Sequence, residues 1–306
     1  TTTESVGYTL SYSEAIRKVI EMSIEKYGIE KVIVSPAEDR IAQKTVSQAE
    51  RVYPVKKYLF HTDSHRNFTL KNIEQSLKEN TPALLIVSHT NPLTGKLLPV
   101  KKIAKLCHEY NSVLLCDISL SIPYLPIDIN TLQSDFCIAQ ACKFYGGNNI
   151  TVLHSANHNH FSFAQIDDIC PVQWAGVAKA LQICTENKNM YGENMLEVKR
   201  YFAEKLSVLF PDIDMQGNDQ RNLSGIITAF FPKADFGHYL TEKLDMKGIA
   251  CADKSSYFDN YALFSDKKPI EPLSEKYHAI RFSFGIENTI AEADYCLPVL
   301  KNIRKR

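Results

Sequence analysis

The first two thirds of the chain alternate between two spacings of hydrophobic residues. Runs of consecutive apolar residues are typical of strands buried on both faces, and apolar residues three to four positions apart are typical of amphipathic helices. The runs predict strands over 31–35, 55–60, 83–88, 113–117 and 136–139. The helical spacing predicts helices over 14–27, 39–52, 70–79 and 99–110. This alternation indicates an α/β fold, in which helices cover a mainly parallel sheet.

After about residue 170 the pattern changes to one long helical stretch followed by a few short elements. The long stretch is predicted over 171–210, with breaks only between Asn187 and Gly192. Later strands are predicted over 224–231 and 279–284, a short apolar segment over 249–251, and helices over 235–247 and from about 287. We therefore expect a large domain over 1–170, connecting helices over 171–210, and a smaller C-terminal α+β domain over 211–306.

The charge balance and hydropathy argue against two classes of partner. The sequence has 35 basic and 35 acidic residues, so it has no net field that would attract nucleic acid or an anionic membrane. No apolar run approaches the length of a membrane-spanning helix, and the first residues lack the basic start and apolar stretch of a signal peptide. These features predict a cytoplasmic protein with neither nucleic acid nor membrane as partner.

Cysteine and histidine spacing gives no pattern for a metal site. None of the eight cysteines forms a C-x-x-C pair, which favours reduced thiols in a cytosolic protein over a disulfide framework. Three histidines lie between His154 and His160, but no cysteine or carboxylate stands at ligand spacing. The segment is therefore interpreted as a polar loop, and no metal is predicted.

Lys143 and Asp117 are the first residues that suggest chemistry. Each follows a predicted buried strand, and ligands of parallel sheets bind outside the carboxyl ends of the strands. A lysine partly removed from water has a lowered pKa, and its free amine reacts with aldehydes. An amine and a carboxylate at neighbouring strand ends are the minimum that pyridoxal phosphate requires. Each residue also has an ordinary interpretation, as a lysine that faces solvent and an aspartate that caps the next helix.

The order of several motifs resembles a known family. The motifs are the run His89–Gly95, then Asp117, then Pro126–Ile129, then Asp135–Tyr145, and finally Ile280–Gly285. In this order they resemble the cysteine desulfurase and selenocysteine lyase branch of the class V aminotransferases, which are fold-type I pyridoxal-phosphate enzymes. The resemblance runs from about residue 9 onward and is strongest over 83–147. It implies that the sheet of the large domain binds pyridoxal 5'-phosphate.

The resemblance assigns the cofactor's reactive groups to the two strand-end residues. It implies that Lys143 forms the Schiff base and moves the substrate's α-proton. Asp117 would bond to the pyridinium nitrogen. Asn91 lies one position before the family's asparagine, and Cys142 stands where the family has a histidine.

The same resemblance implies a phosphate-binding turn over 8–14. Ser13, which we also expect to cap the first helix, would be the hydroxyl ligand, with Ser11 in the same turn. Gln140 stands where the family has a phosphate-binding serine.

Two further residues would act on the substrate. Arg281 would bind the substrate carboxylate in a bidentate grip. Cys251, in a loop of small residues that would leave its thiol exposed, falls where desulfurases keep the cysteine that becomes a persulfide. A buried cysteine without catalytic function is the open alternative. The resemblance also implies a cysteine-like substrate, a homodimer, and a partner protein that accepts sulfur.

Several positions depart from the family pattern, so alternatives stay open. Asp39 replaces a ring that would stack on the cofactor, Leu120 replaces a glutamine, and Cys142 replaces the histidine. The resemblance also implies a further segment ahead of the phosphate turn, so we expect either a fragment, a divergent paralogue or a molecule of which part is not represented here. The first interpretation is a C–S lyase of the cysteine desulfurase type. The others are a class V aminotransferase, with Cys251 incidental, and a degenerate paralogue that acts as a scaffold.

Overall fold

A computed structural model describes residues 5–36, 38–60, 69–156, 170–218, 225–255 and 273–304. The chain forms two compact units. The first comprises Thr1–Asn91 and Leu98–Lys188, and the second comprises Pro92–Leu97 and Asn189–Arg306. Within the described ranges, no helix combines the length and the apolar character needed to cross a membrane.

A seven-stranded sheet forms the centre of the first unit, with strand order β1-β7-β6-β5-β4-β2-β3. Its strands are β1 (Val6–Thr9), β2 (Lys31–Val34), β3 (Lys56–Leu59), β4 (Leu84–Ser88), β5 (Val113–Asp117), β6 (Phe136–Gln140) and β7 (Thr151–Ser155). Only β7 runs antiparallel to its neighbours, and the remaining pairs are parallel. The predicted α/β fold with a mainly parallel, helix-covered sheet is confirmed.

Helices cover both faces of this sheet. They are α1 (Tyr12–Tyr27), α2 (Arg40–Ala49), α3 (Leu70–Asn80), α4 (Val100–Glu109) and α5 (Ile129–Leu132). Strand β4 shows why its sequence is continuously apolar: Leu84 and Ile86 join the cluster with α1 and α2, whereas Leu85 and Val87 join the cluster with α3 and α4. A strand buried on both faces has no position for a polar side chain.

The antiparallel strand β7 determines where α1 begins. Because β7 opposes both β1 and β6, strand β1 runs parallel to the central strands. The carboxyl end of β1 therefore lies at the same edge of the sheet as the carboxyl ends of β2, β4, β5 and β6. The N-terminus of α1 starts at this edge, which we call the carboxyl edge.

The second unit contains a four-stranded antiparallel sheet with strand order β10-β11-β9-β8. The strands are β8 (Asp214–Gln216), β9 (Ile226–Pro232), β10 (Ala252–Asp253) and β11 (Tyr277–Ser283). The helices that follow α5 are α6 (Pro171–Leu209), α7 (Lys233–Phe236), α8 (Leu240–Asp245), α9 (Leu273–Lys276) and α10 (Ile290–Ile303). The core of this unit is rich in aromatic rings, including Phe202, Phe210, Phe231, Phe236 and Phe282.

Four predictions of local structure were wrong. Ser11, and not Ser13, caps α1, because the Ser11 hydroxyl accepts the Glu14 amide. The expected break near 187–192 is absent from α6, where the Asn187 side chain donates to the Ile183 carbonyl one turn earlier. The helix expected over 235–247 is divided at Gly237, whose φ of 69° is in the left-handed region. His154 lies buried in β7 and not in a polar loop.

The remaining histidines of that segment, His158 and His160, lie outside the described residues. Across the part of the chain that the structure describes, no cluster of three or more histidine, cysteine or acidic side chains could hold a metal ion.

Candidate functional site

Asp117 is the centre of a hydrogen-bond network at the carboxyl edge. Its Oδ1 atom accepts from the Ser119 amide at 2.8 Å and from the Ser119 hydroxyl, and its Oδ2 atom accepts from the Tyr12 hydroxyl at 2.7 Å. Asp117 is buried, with only 6% of its surface exposed. Burial raises the pKa of the Asp117 carboxyl, while the donors from Ser119 and Tyr12 oppose that rise.

The strand that leads to Lys143 is attached to this network. The backbone amide of Gln140, at the end of β6, donates to the Ser119 hydroxyl oxygen at 2.8 Å. That hydroxyl in turn donates to Asp117. After Gln140 the chain turns through a short 3-10 helix, Ala141–Phe144, which contains Cys142 and Lys143. The structure thus places Lys143 three residues beyond a strand end that is bonded to the Asp117 network.

Lys143 and Cys142 are both exposed. The sequence predicts a partly desolvated amine at Lys143, and this expectation was wrong because the 3-10 helix turns the residue toward solvent. The described residues therefore leave Lys143 accessible to water.

The N-terminus of α1 lies where the phosphate turn is expected. Ser11 is exposed and caps the helix, and Ser13 is the second residue of the helix and is partly buried. The first amides of a helix and its positive dipole end attract anions. Both serines therefore lie at the carboxyl edge, as the resemblance implies, although only Ser11 serves as the cap.

Tyr12, between these two serines, was not expected at the site. It is the first residue of α1, it is 6% exposed, and its hydroxyl donates to Asp117. Burial, followed by the nearby charge of Asp117, raises the pKa of the Tyr12 hydroxyl far above its ordinary value. A large aromatic residue inside a turn of small serines was the one signal in the sequence that could have identified it.

Glu38 is a second buried carboxyl group near Asp117. Its oxygens accept from the Ser88 amide at 2.8 Å and from the Ser88 hydroxyl, which ties the loop after β2 to the end of β4. Burial raises its pKa to about 8, against the opposing effect of the Ser88 donors and with a further rise from the charge of Asp117.

The titration of Glu38 predicts that the first unit loses stability as the pH rises. The raised pKa means that the folded state retains a proton that the unfolded state releases above its ordinary pKa of 4.5. The free energy of unfolding should therefore fall between about pH 5 and pH 8, by on the order of a few kcal/mol. Glu38→Gln should remove much of this slope, as measured by urea unfolding at pH 5.5, 7 and 9. An equal slope in the variant would contradict the assignment.

The end of β4 adds His89 and Asn91 to this edge. The His89 amide donates to the Asp117 carbonyl at 2.8 Å, and burial lowers the pKa of the His89 ring. Within the described part of the chain, Nδ1 of His89 is buried without a hydrogen-bond partner. Asn91 is 2% exposed.

Two of the departures from the family pattern have local structural roles. Asp39 caps α2 by accepting the Ile41 amide at 2.8 Å. Leu120 is partly buried in the turn that follows Ser119. Neither side chain offers the cofactor contact that the family has at that position.

The expected substrate residues lie in the second unit. Arg281 is partly buried on β11, and its Nη1 donates to the Pro92 carbonyl at 2.8 Å. One of the five guanidinium donors is therefore committed to the backbone of its own unit.

Cys251 is partly buried, and the expectation of an exposed thiol was wrong. It packs against the hydrophobic core of the second unit, directly before β10. Burial, followed by the charges of Asp253, Asp245 and Glu242, raises the pKa of the Cys251 thiol to about 11. A thiol in such surroundings is a weak nucleophile at neutral pH.

The environment of Cys251 predicts slow alkylation. With a pKa of about 11, roughly one thiol in a thousand is ionised at pH 8. Iodoacetamide at pH 8 should therefore label the exposed Cys142 and Cys170 well before Cys251, as followed by peptide mass spectrometry. Labelling of Cys251 as fast as that of Cys142 would show that the thiol is activated in solution.

The groups at the carboxyl edge fit the chemistry of pyridoxal phosphate. The cofactor requires an amine, an anionic partner for its ring nitrogen, and donors for its phosphate. Lys143, Asp117 and the N-terminus of α1 at Ser11 supply these three groups from one edge of one sheet. Asp117 already accepts three protein hydrogens, from the Ser119 amide, the Ser119 hydroxyl and the Tyr12 hydroxyl.

The chain is similar in sequence to known proteins. The family model described as Aminotransferase class-V matches residues 2–163. Cysteine desulfurase IscS from Clostridium botulinum (strain Kyoto / Type A2) is 25% identical over 258 residues, which are 78% of this chain and 63% of that protein. Cysteine desulfurase IscS from Dictyoglomus turgidum is 22% identical over 250 residues, 76% of this chain and 61% of that protein. The chain thus spans 61–63% of the length of these two relatives.

Solved structures are similar in fold. A structure titled as a NifS-like protein superimposes with a TM-score of 0.82 at 18% sequence identity, covering 99% of this chain and 83% of that one. The apo structure of cysteine desulfurase from Thermococcus onnurineus gives a TM-score of 0.75 at 16% identity, covering 98% of this chain and 79% of that one. At these identities the likeness shows the fold alone.

Proposed function

Since the chain belongs to the class V aminotransferase family, whose model covers more than half of it, we propose that it is a pyridoxal-phosphate-dependent enzyme of the cysteine desulfurase type. It would cleave the C–S bond of cysteine or a similar small amino acid. This membership confirms the resemblance that the sequence motifs indicate. The observation that carries the proposal is the network that connects buried Asp117, through Ser119, to the strand end before Lys143.

Four groups of the first unit would hold the cofactor. Lys143 would attach to its aldehyde carbon, Asp117 would accept from its ring nitrogen, and Ser11 with Ser13 would bind its phosphate at the start of α1. When bound, the cofactor supplies an electron sink that weakens bonds at the substrate's α-carbon. Gln140, Asn91 and Cys142 lie at or beside the same strand ends and would border the cofactor.

Lys143 and Asp117 would have distinct chemical tasks. Lys143 would take a proton from the substrate's α-carbon and return it, because its amine is the basic group nearest the end of β6. Asp117 would keep the ring nitrogen protonated, and the donors from Ser119 would fix the carboxylate plane for that contact.

Arg281 and Cys251 would act on the substrate from the second unit. Arg281 would bind the substrate carboxylate, and Cys251 would take up the sulfur as a persulfide. The raised pKa of Cys251 means that an environment different from the one described would be needed to activate its thiol. A homodimer, a protein that accepts sulfur, and a cytoplasmic location complete the proposal.

A second candidate function is a family member that works without the cofactor, as a scaffold. The observation that favours it is the contact between Tyr12 and Asp117. Tyr12 donates to Oδ2 of Asp117 and Ser119 donates to Oδ1, so both carboxylate oxygens have protein donors. A buried carboxyl group with such donors is stable in the fold without any ligand.

A two-step experiment tests the proposal. Purified protein is first incubated with excess pyridoxal 5'-phosphate and desalted, and an absorbance band at the violet edge of the visible spectrum is expected for bound cofactor. Cysteine is then added, and sulfide and alanine are measured. Sulfide release that is lost in Cys251→Ser identifies the desulfurase, keto-acid formation without sulfide identifies an aminotransferase, and no bound cofactor supports the scaffold.

A further inference from the structure

Tyr12 lies between the two groups that would anchor the ends of the cofactor. Its backbone belongs to the Ser11–Ser13 turn, where the phosphate would bind, and its hydroxyl reaches Asp117, where the ring nitrogen would bind. One side chain of the protein therefore joins the same two positions that pyridoxal phosphate would join. No other described side chain donates from this turn to that carboxylate.

The space around this contact is closed. Tyr12 and Asp117 are each 6% exposed, so little of the carboxylate is open to a ligand. The Oδ1 atom of Asp117 accepts hydrogen bonds from both the backbone amide and the hydroxyl of Ser119. The Oδ2 atom is the one that Tyr12 holds, at 2.7 Å. A ring that approaches from the phosphate turn therefore meets the tyrosine ring first.

We propose that the side chain of Tyr12 occupies the position of the cofactor ring. Its hydrogen bond to Asp117 has to break before pyridoxal phosphate binds. This inference rests on the proposed function, since it concerns the same cofactor. Tyr12 is then the residue that sets cofactor affinity, through the balance between a closed form, with the Tyr12–Asp117 contact, and an open form.

The chemistry of the two competing donors explains why the cofactor is able to displace the tyrosine. Both present a hydrogen to the same carboxylate, but the pyridinium N–H is cationic and the phenol O–H is neutral. Both hydrogen bonds are charge-assisted because the carboxylate is ionised, but only the pyridinium is also attracted to the carboxylate as an opposite charge. The cofactor also gains the phosphate contacts at the start of α1 that the tyrosine lacks.

The apparent affinity of a ligand is reduced by the fraction of protein that is open. Tyr12→Phe removes the hydroxyl that holds the closed form, and we expect it to tighten cofactor binding by about 10-fold. Tyr12→Ala also removes the ring, and we expect it to tighten binding by about 100-fold. Dissociation constants for pyridoxal 5'-phosphate are measured by absorbance titration and by equilibrium dialysis of the full chain.

A matched control is available in the same unit. Tyr53 donates its hydroxyl to the carboxylate of Glu21, which is a second tyrosine–carboxylate pair and involves a residue of the same helix, α1. Tyr53→Phe should leave the dissociation constant unchanged. If Tyr12→Ala fails to fold, Tyr12→Phe carries the test, because it retains the ring that fills the core. Circular dichroism of each protein establishes that it is folded.

The outcomes separate this inference from the proposed function. Tighter binding in both Tyr12 variants, with Tyr53→Phe unchanged, supports the inference. Unchanged or weaker binding overturns it, since Tyr12 would then be neutral or would help to position the cofactor. Unchanged binding alongside sulfide release rejects only the inference. Binding in the variants but not in the parent protein supports the inference and rejects the proposed function. No binding in any protein overturns both.

Discussion

Lys143→Ala is expected to abolish both the absorbance band of protein-bound pyridoxal phosphate and sulfide release from cysteine. Under the proposed function, the amine of Lys143 would attach to the cofactor and move the substrate's proton. Loss of a positioned acid–base group alone costs roughly 10²–10⁴-fold in rate, and loss of the covalent attachment adds to this. The measurements are an absorbance scan after desalting and an initial-rate assay of sulfide.

Lys102→Ala is the matched control for this variant. Lys102 is also exposed, but it lies on α4 and outside the candidate site. It should retain both the band and the activity. Because Lys143 is exposed and lies outside the core, its replacement should leave the unfolding midpoint in urea unchanged. Retention of the band in Lys143→Ala would show that another amine holds the cofactor.

Asp117→Ala is expected to reduce both stability and cofactor binding. The change leaves the Tyr12 hydroxyl and the Ser119 donors without their acceptor in a buried place. Unsatisfied buried donors cost about 1–3 kcal/mol each, so we expect a loss of about 2–4 kcal/mol in the free energy of unfolding. Under the proposed function, the change also removes the carboxylate that would bond to the ring nitrogen, and it should weaken cofactor binding by about 100-fold or more.

Asp117→Asn separates these two effects. The amide keeps the shape of the side chain and one accepting oxygen, but it lacks the charge. Its stability in urea should lie close to that of the parent protein, while its affinity for pyridoxal 5'-phosphate should fall as it does in the alanine variant. Equal affinity of Asp117→Asn and the parent protein would mean that the carboxylate serves only the fold.

The sequence was most informative where a strand is buried on both faces. The cores of β4, β5 and β6 are continuously apolar, and their lengths agree with the predicted runs to within about one residue. Strands β1 and β7 were missed, because Val6-Gly7-Tyr8-Thr9 and Thr151-Val152-Leu153-His154-Ser155 mix apolar and polar residues. Their partners are far away in sequence, so local spacing contains no sign of the pairing.

In the candidate site, too, local sequence patterns predict some features, whereas others depend on contacts between distant parts of the chain. The positions of Asp117 and Lys143 follow from strand ends, which local patterns identify. The contact between Tyr12 and Asp117 joins residues 105 positions apart and depends on how β1 enters the sheet. The burial of Cys251 likewise depends on packing against strands and helices elsewhere in the second unit. Loops of small residues predict backbone freedom, but they do not predict what covers a side chain.

The pairing of β1 with β7 has a consequence for the order of assembly during synthesis. Val6 pairs with His154 and Thr9 with Thr151, so β1 finds its only neighbour in the sheet after more than 140 further residues have been made. Contacts of such long range form late, because the loop between them has to close first. The Ser11–Ser13 turn therefore reaches its place beside Asp117 only when β7 has left the ribosome. Until then a nascent chain has every central strand of the sheet, but the Ser11–Ser13 turn is not yet in place beside Asp117.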